Sequence, residues 1–145
     1  MKTLLLHVTD DDANAARMDY ALSLARATGA HLSCLAARPD LSLSVTDPWG
    51  GVLVTAELMQ LLDEQRRNLR ERIEGELSGE DVPWDYHERT SDPAGEVVLA
   101  ARLADAVIIG RSEGIGFVGD VATAARAPVL LVPDGLDRFE PGPAM

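Results

Sequence analysis

Short uninterrupted apolar runs recur along the chain, and stretches with helical periodicity lie between them. Runs of this kind are typical of parallel strands that are buried on both faces of a sheet. One segment alternates apolar and polar residues and contains a proline, which indicates a strand near a sheet edge with one wet face. The pattern predicts five strands, at Thr3–Val8, His31–Ala37, Val82–Glu88, Ala106–Ile109 and Val129–Val132.

Four helices are predicted between these strands. Arg17 and Arg26 are expected on the outward face of the first helix, because its apolar residues repeat at helical spacing on the other face. The aspartates at positions 10–12 favour the start of that helix, as caps or through its dipole. The helices are predicted at Ala13–Thr28, Leu53–Leu77 and Ala94–Ala104, with a short fourth one that begins at Asp120.

The alternation of strands and helices predicts an α/β fold. It is a Rossmann-like, doubly wound sheet of five parallel strands with right-handed crossovers and helices on both faces. The wet third strand suits an edge and the most apolar strands suit the centre, so we expect the order 3-2-1-4-5. One domain is expected over residues 1–134. A flexible C-terminal tail is expected over residues 135–145, where glycine and proline are frequent.

In a sheet of this order the topological switch point lies between strands 1 and 4. Ligands bind there, beyond the carboxyl ends of the strands. A glycine-rich segment follows strand 4, and bare backbone N–H groups at a helix start can bind a phosphate group. The candidate nucleotide-binding residues are Thr9, Asp10, Gly110, Arg111, Gly114, Gly116, Gly119 and Asp120.

Asp120 argues against tight phosphate binding at this loop. A carboxylate in the first turn accepts the unpaired N–H groups itself and stabilises the helix by about 1 kcal/mol. It also repels a phosphate oxygen by on the order of 4 kcal/mol at 4 Å and an effective dielectric constant of 20. Arg111 or a bound cation can offset part of this repulsion. Two alternatives stay open: the glycines form only a tight turn, or they form a working anion site.

Charge and composition exclude several classes of partner. The chain has 13 basic and 24 acidic residues, a net charge of −11, so nucleic acids and anionic membranes are not expected partners. The single cysteine, Cys34, lies in an apolar run and is expected to be a buried structural thiol. No histidine pair has metal-ligand spacing, so no metal site is expected. The short apolar run at the N-terminus is no signal peptide, and no segment has about 20 apolar residues, so we expect a cytoplasmic protein.

Four segments carry a resemblance to a known family. They are the first strand with its acidic end, TGAHLSCL before the second strand, SDPAGEVVLAARLADAVIIG and VATAARAPVLLVP. In combination the chain resembles a single-domain universal stress protein over nearly its whole length. The resemblance implies a homodimer that forms by pairing the fifth strands, with Val129, Leu130, Leu131 and Val132 at the interface. A short apolar strand left as a bare edge would also be an aggregation hazard.

The resemblance also implies where a nucleotide would bind. Nucleotide-binding members carry a loop spaced Gly, two residues, Gly, nine residues, Gly, then Ser or Thr. Gly110 matches the first glycine, Gly114 comes one residue late, and Gly119 follows after four residues with Asp120 next. The adenine-side aspartate of the family falls near Thr9, with Asp10 beside it.

Two functional hypotheses follow. The first is a non-catalytic, dimeric module of the stress response with weak or no ATP binding and no cofactor. The alternative is a sensor that binds ATP or AMP, with magnesium, through the shortened loop. Phosphoryl transfer is disfavoured because it needs placed cations, and the one lysine, Lys2, precedes the first strand.

Overall fold

The computed structural model describes residues 2–39 and 56–134. Five strands and four α-helices alternate along the chain. The strands are β1 (Thr3–His7), β2 (His31–Arg38), β3 (Trp84–Thr90), β4 (Ala106–Gly110) and β5 (Val129–Val132). The helices are α1 (Asn14–Thr28), α2 (Ala56–Ser78), α3 (Pro93–Ala101) and α4 (Ile115–Ala124).

All five strands are parallel and lie in the order β3-β2-β1-β4-β5, which confirms the predicted topology. β1 pairs with β2 on one side and β4 on the other, with Leu4 opposite Ala106 and Leu6 opposite Ile108. The sequence placed each strand within two residues of its observed bounds. The switch point between β1 and β4 is therefore present, as expected.

The central strands are buried because nearly every side chain they carry is apolar. All five residues of β4 are buried. Leu5 of β1 and Val107 and Ile109 of β4 form a cluster with Val97 of α3 and Val121 of α4. Each side chain of this size stabilises the fold by about 1.5–3 kcal/mol when fully buried. This cluster fixes α3 and α4 on the sheet and so positions the loop that follows β4.

Two compact units divide the chain. One comprises Met1–Arg38 and Asp81–Met145 and contains the sheet, and the other is Pro39–Glu80, which contains α2. α2 buries three side chains at helical spacing, Leu69, Ile73 and Leu77. The predicted start of α2 at Leu53 and the predicted tail over residues 135–145 lie outside the described residues.

Local signals explain two of the helix ends. The Asp92 side chain accepts a hydrogen bond from the Gly95 N–H at 3.2 Å, and Pro93 is the first residue of α3, one residue before the predicted start. α1 ends at Gly29, which adopts a left-handed conformation with φ 68°. Its N-cap is Ala13, which makes no side-chain cap hydrogen bond. The prediction that the aspartates at positions 10–12 cap α1 is therefore wrong.

Cys34 is buried in β2, as predicted. Burial, followed by the nearby charge of Asp85, raises the pKa of this thiol to about 12. A thiol with so high a pKa is a poor nucleophile at neutral pH, because the thiolate is the reactive form. Among the described helices, none combines the length and apolar character that crossing a membrane requires.

Candidate functional site

The switch point is built from the segments that follow β1 and β4. β4 ends at Gly110 and leads into a three-residue 3₁₀ turn, Arg111–Glu113. Gly114 follows with φ 100°, a conformation that L side chains rarely adopt, and α4 begins at Ile115. The turn is thus held between two glycines. The side chains of Arg111 and Ser112 are exposed on it.

Asp120 does not lie at the start of α4. It is the sixth residue of that helix and is exposed, so it accepts no hydrogen bonds from the first turn. Gly116 and Gly119, predicted in the loop, also lie inside α4. A glycine costs about 1 kcal/mol inside a helix. Tertiary packing outweighs that cost here, because Val121 is fully buried in the core.

A different carboxylate, that of Glu113, lies at the switch point. Its side chain is only 5% exposed. One oxygen, Oε2, accepts a hydrogen bond of 2.5 Å from the Gly110 N–H, and the other, Oε1, makes a close hydrogen bond with Nδ1 of His7. Glu113 therefore accepts the hydrogen bond from the Gly110 N–H, a backbone group that was predicted to bind a ligand.

His7 and Glu113 are directly hydrogen-bonded. Nδ1 of His7 contacts Oε1 of Glu113, and Nε2 of His7 lies 3.3 Å from the carbonyl oxygen of Ala37. Phe117 of α4 stacks on the His7 ring at 5.0 Å between centroids and 29° between planes. This ring contact covers the pair from the α4 side.

Arg17 supplies the positive charge of the site. It was predicted to face outward, but its side chain is 2% exposed and lies against the loop that follows β1. Nη1 donates to Oγ1 of Thr9 at 3.0 Å and lies 3.7 Å from Oε2 of Glu113. Nη2 lies 3.8 Å from Oδ2 of Asp11 and has no hydrogen-bond partner among the described residues. The outward prediction failed because helical periodicity cannot distinguish a solvated arginine from a buried one.

Gly110 makes room for Arg17. A Cβ atom at this position would lie 2.5 Å from Nε of Arg17 and closer still to Cζ and Nη2 of the same guanidinium group. Real Cβ atoms do not approach other atoms so closely. The glycine at the end of β4 is thus required by an internal arginine.

The predicted site residues separate into three groups. Thr9 and Gly110 belong to the buried cluster, and the Thr9 N–H is bound by the side chain of buried Asn14 at 3.0 Å. Exposed residues at its rim are Asp10, Arg111 and Gly114. Gly116, Gly119 and Asp120 lie on α4. Four residues of the cluster were not among the predicted site residues: His7, Arg17, Glu113 and Phe117. The spacing of Gly110 and Glu113, with a carboxylate three residues after the backbone donor, is the signal that could have indicated the contact.

The other two histidines face a carboxylate of β3. Nε2 of His31 lies 2.7 Å from Asp85, Nε2 of His87 lies 3.1 Å from it, and Ser33 donates to it at 2.6 Å. Partial burial favours a raised pKa for Asp85. The hydrogen bonds from Ser33 and His31 and the charges of both histidines outweigh it, so the pKa is lowered. Across residues 2–39 and 56–134, no group of three or more potential ligands could hold a metal ion.

Comparisons with known proteins address the fold. No family model and no curated protein sequence matches the chain. Solved structures do match. The universal stress protein UspA from Lactobacillus plantarum is 16% identical, with a TM-score of 0.73 over 90% of this chain and 97% of that one. The universal stress protein from Archaeoglobus fulgidus in complex with dAMP is 20% identical, with a TM-score of 0.61 over 90% and 97%.

A plant protein extends the comparison. A universal stress protein family protein from Arabidopsis thaliana with AMP bound is 14% identical, with a TM-score of 0.64 over 94% of each chain. Identities of this size establish a shared fold. The chain has the fold of the universal stress proteins, as the resemblance in its sequence predicted.

Proposed function

We propose that this chain is a universal stress protein-like, non-catalytic, dimeric module of the stress response in the cytoplasm. Its switch point binds ATP or AMP weakly or not at all. The observation that carries the proposal is the position of Glu113, whose carboxylate takes the Gly110 N–H and pairs with His7. The sequence-based reason for weak binding, a carboxylate at position 120, is replaced by a buried carboxylate at position 113.

A nucleotide phosphate would have to displace groups that already have hydrogen-bond partners. The Gly110 N–H and the hydrogen-bonded pair of Glu113 and His7 are already satisfied inside the protein. Breaking a buried ionic contact by removing one partner costs about 3–5 kcal/mol. A phosphate that entered with Glu113 in place would also meet its negative charge. Either route takes away most of the affinity that backbone donors would supply.

A second candidate is an adenine-nucleotide sensor. Similar structures from Archaeoglobus fulgidus and Arabidopsis thaliana hold dAMP and AMP, so this fold can accommodate such ligands. A sensor would use Gly110 with the exposed rim residues Arg111 and Gly114, together with magnesium. It requires Glu113 to leave the switch point when the nucleotide arrives.

Calorimetric titration with ATP and magnesium separates the two candidates. We expect no measurable site for ATP, or one weaker than about 1 mM, because the buried donors are occupied. Asp120→Ser should leave this result unchanged, since Asp120 is exposed on α4. A site tighter than about 100 µM in the unmodified protein would favour the sensor.

The dimer is proposed from the edge position of β5. β5 ends the sheet order, Leu131 is 43% exposed, and Val129 and Leu130 are half-buried. Pairing this strand with a second copy of itself covers its edge. Leu131→Lys is expected to convert a dimer into a monomer at micromolar concentration, measured by light scattering. Ile115→Lys, at a residue that is 94% exposed on α4, is the matched control and should leave the mass unchanged. A monomeric unmodified protein would contradict the proposed dimer.

A further inference from the structure

We propose that Glu113 is an internal ligand of a latent anion site. Arg17 and the Gly110 N–H form the receptor, and removal of Glu113 opens it to a small oxyanion such as inorganic phosphate. The inference rests on the proposed closure of the switch point and adds to it a receptor, a ligand class and the residue that controls access.

Arg17 is incompletely hydrogen-bonded. Its side chain is 98% buried, yet its guanidinium group donates one hydrogen bond, to Thr9, within the described residues. Its two carboxylate neighbours, Glu113 and Asp11, lie at 3.7 and 3.8 Å, beyond hydrogen-bond distance. Nη2 has no hydrogen-bond partner in the described part of the chain. A buried guanidinium is ordinarily paired on both of its terminal nitrogens, and its planar fork suits an oxyanion.

The backbone donor of Gly110 and the guanidinium group of Arg17 converge on one carboxylate oxygen. The Gly110 N–H and Nη1 of Arg17 both face Oε2 of Glu113, at 2.5 and 3.7 Å. Gly110 also has no Cβ atom, which lets the guanidinium group lie against the end of β4. A tetrahedral anion has more acceptor oxygens than the carboxylate of Glu113. One of them could accept a hydrogen bond from the Gly110 N–H while another accepts from Nη2 of Arg17, which Glu113 leaves without a hydrogen bond.

Glu113 lies on a short segment between two glycines. The 3₁₀ turn Arg111–Glu113 lies between Gly110 and Gly114, and the residues beside Glu113 are exposed. Ile115, at the start of α4, is 94% exposed. Few side-chain contacts therefore oppose an outward movement of the turn. The hydrogen bond to His7 and the hydrogen bond to Gly110 are what hold Glu113 inside.

Negative charge close to Arg17 opposes an added anion. The Asp11 carboxylate lies 3.8 Å from Arg17 and is 39% exposed, so it can turn toward water when an anion enters. His7 faces the site from β1 and loses its carboxylate partner when Glu113 is removed. An imidazole freed in this way can donate a hydrogen bond to the anion. The groups that face the site thus favour a single small oxyanion over a polyphosphate chain.

The test compares phosphate binding by charge-matched variants. Glu113→Ala and Asp120→Ala remove one negative charge each, but only the first opens the receptor. Inorganic phosphate should raise the thermal midpoint of Glu113→Ala, with an affinity on the order of tenfold or more above that of the unmodified protein. Asp120→Ala should behave like the unmodified protein. Chloride at the same ionic strength controls for general screening. Adding Arg17→Met to Glu113→Ala should abolish the effect.

Glu113→Gln is the second variant, because its amide oxygen can still accept from Gly110 while the negative charge is gone. It should fold and show a smaller gain in phosphate affinity. The inference is overturned if neither Glu113 variant gains phosphate affinity, if Asp120→Ala gains as much, or if neither variant folds in the presence of phosphate. The titration of the unmodified protein with ATP is read separately. ATP binding there would reject the proposed function, whether or not the Glu113 variants bind phosphate.

Discussion

Gly110→Ala is expected to lower the free energy of unfolding by about 3 kcal/mol, because its Cβ atom would enter the space of a buried guanidinium group. Arg17 is a flexible side chain, but it is almost fully enclosed. Moving it would break its hydrogen bond to Thr9 and its ion pairs with Asp11 and Glu113. Urea unfolding followed by circular dichroism measures the loss.

Gly116→Ala is the matched control for this substitution. A Cβ atom there meets nothing within 4 Å, and the residue lies in α4. Alanine should therefore leave stability unchanged or raise it by up to about 1 kcal/mol. Arg17→Ala should also rescue most of the cost of Gly110→Ala, as a double-mutant cycle would show. Equal stability of Gly110→Ala and Gly116→Ala would mean that Arg17 does not lie against Gly110.

Arg17→Met is expected to cost about 4 kcal/mol in the free energy of unfolding, because it removes the cation from a buried network. Methionine retains most of the aliphatic length, so the effect measures charge and hydrogen bonding more than lost volume. The Glu113 carboxylate would keep only its contacts with His7 and Gly110. The loss should persist at high salt, since buried charges are poorly screened.

Arg26→Met provides the comparison on the same helix. Arg26 is 42% exposed and pairs with Asp81 at 3.0 Å on the surface. Exposed ion pairs contribute little to stability, so this variant should remain close to the unmodified protein. If both arginine variants lost the same small amount of stability, Arg17 would be a surface residue and the proposed closure of the site would fall.

The fold was predictable because its signals are local and numerous. Buried parallel strands such as β1 and β4 are continuous apolar runs, and the doubly wound order places the half-polar β3 at an edge. Turn signals such as Asp92-Pro93 fixed the start of α3. The helix bounds were less accurate, because the glycines of α4 are indistinguishable from loop glycines until the packing of Val121 is known.

The site was not predictable in the same way, because its contacts join residues that are distant in sequence. His7 and Glu113 are 106 residues apart, and the sequence around either residue gives no indication that the two are in contact. Arg17 follows the polar side of an amphipathic pattern, yet the loop after β1 folds over it. The sequence predicted that a carboxylate would weaken the loop as a phosphate site. It assigned that role to Asp120, which the structure places on exposed helix.

A backbone donor lies at the end of β4, and a buried cation lies beside it. Both face an internal carboxylate, that of Glu113. We expect substitution of Glu113 alone to open this position to an anion, which the charge-matched variants test.

The amide proton of Gly110 reports most directly on whether the switch point is occupied by the chain itself. Its N–H donates a short hydrogen bond to a carboxylate, so its NMR resonance should lie far downfield. We expect this resonance to remain unmoved when ATP and magnesium are added in large excess. A Gly110 resonance that shifts in a saturable way with ATP, together with release of Glu113 from His7, would contradict the account.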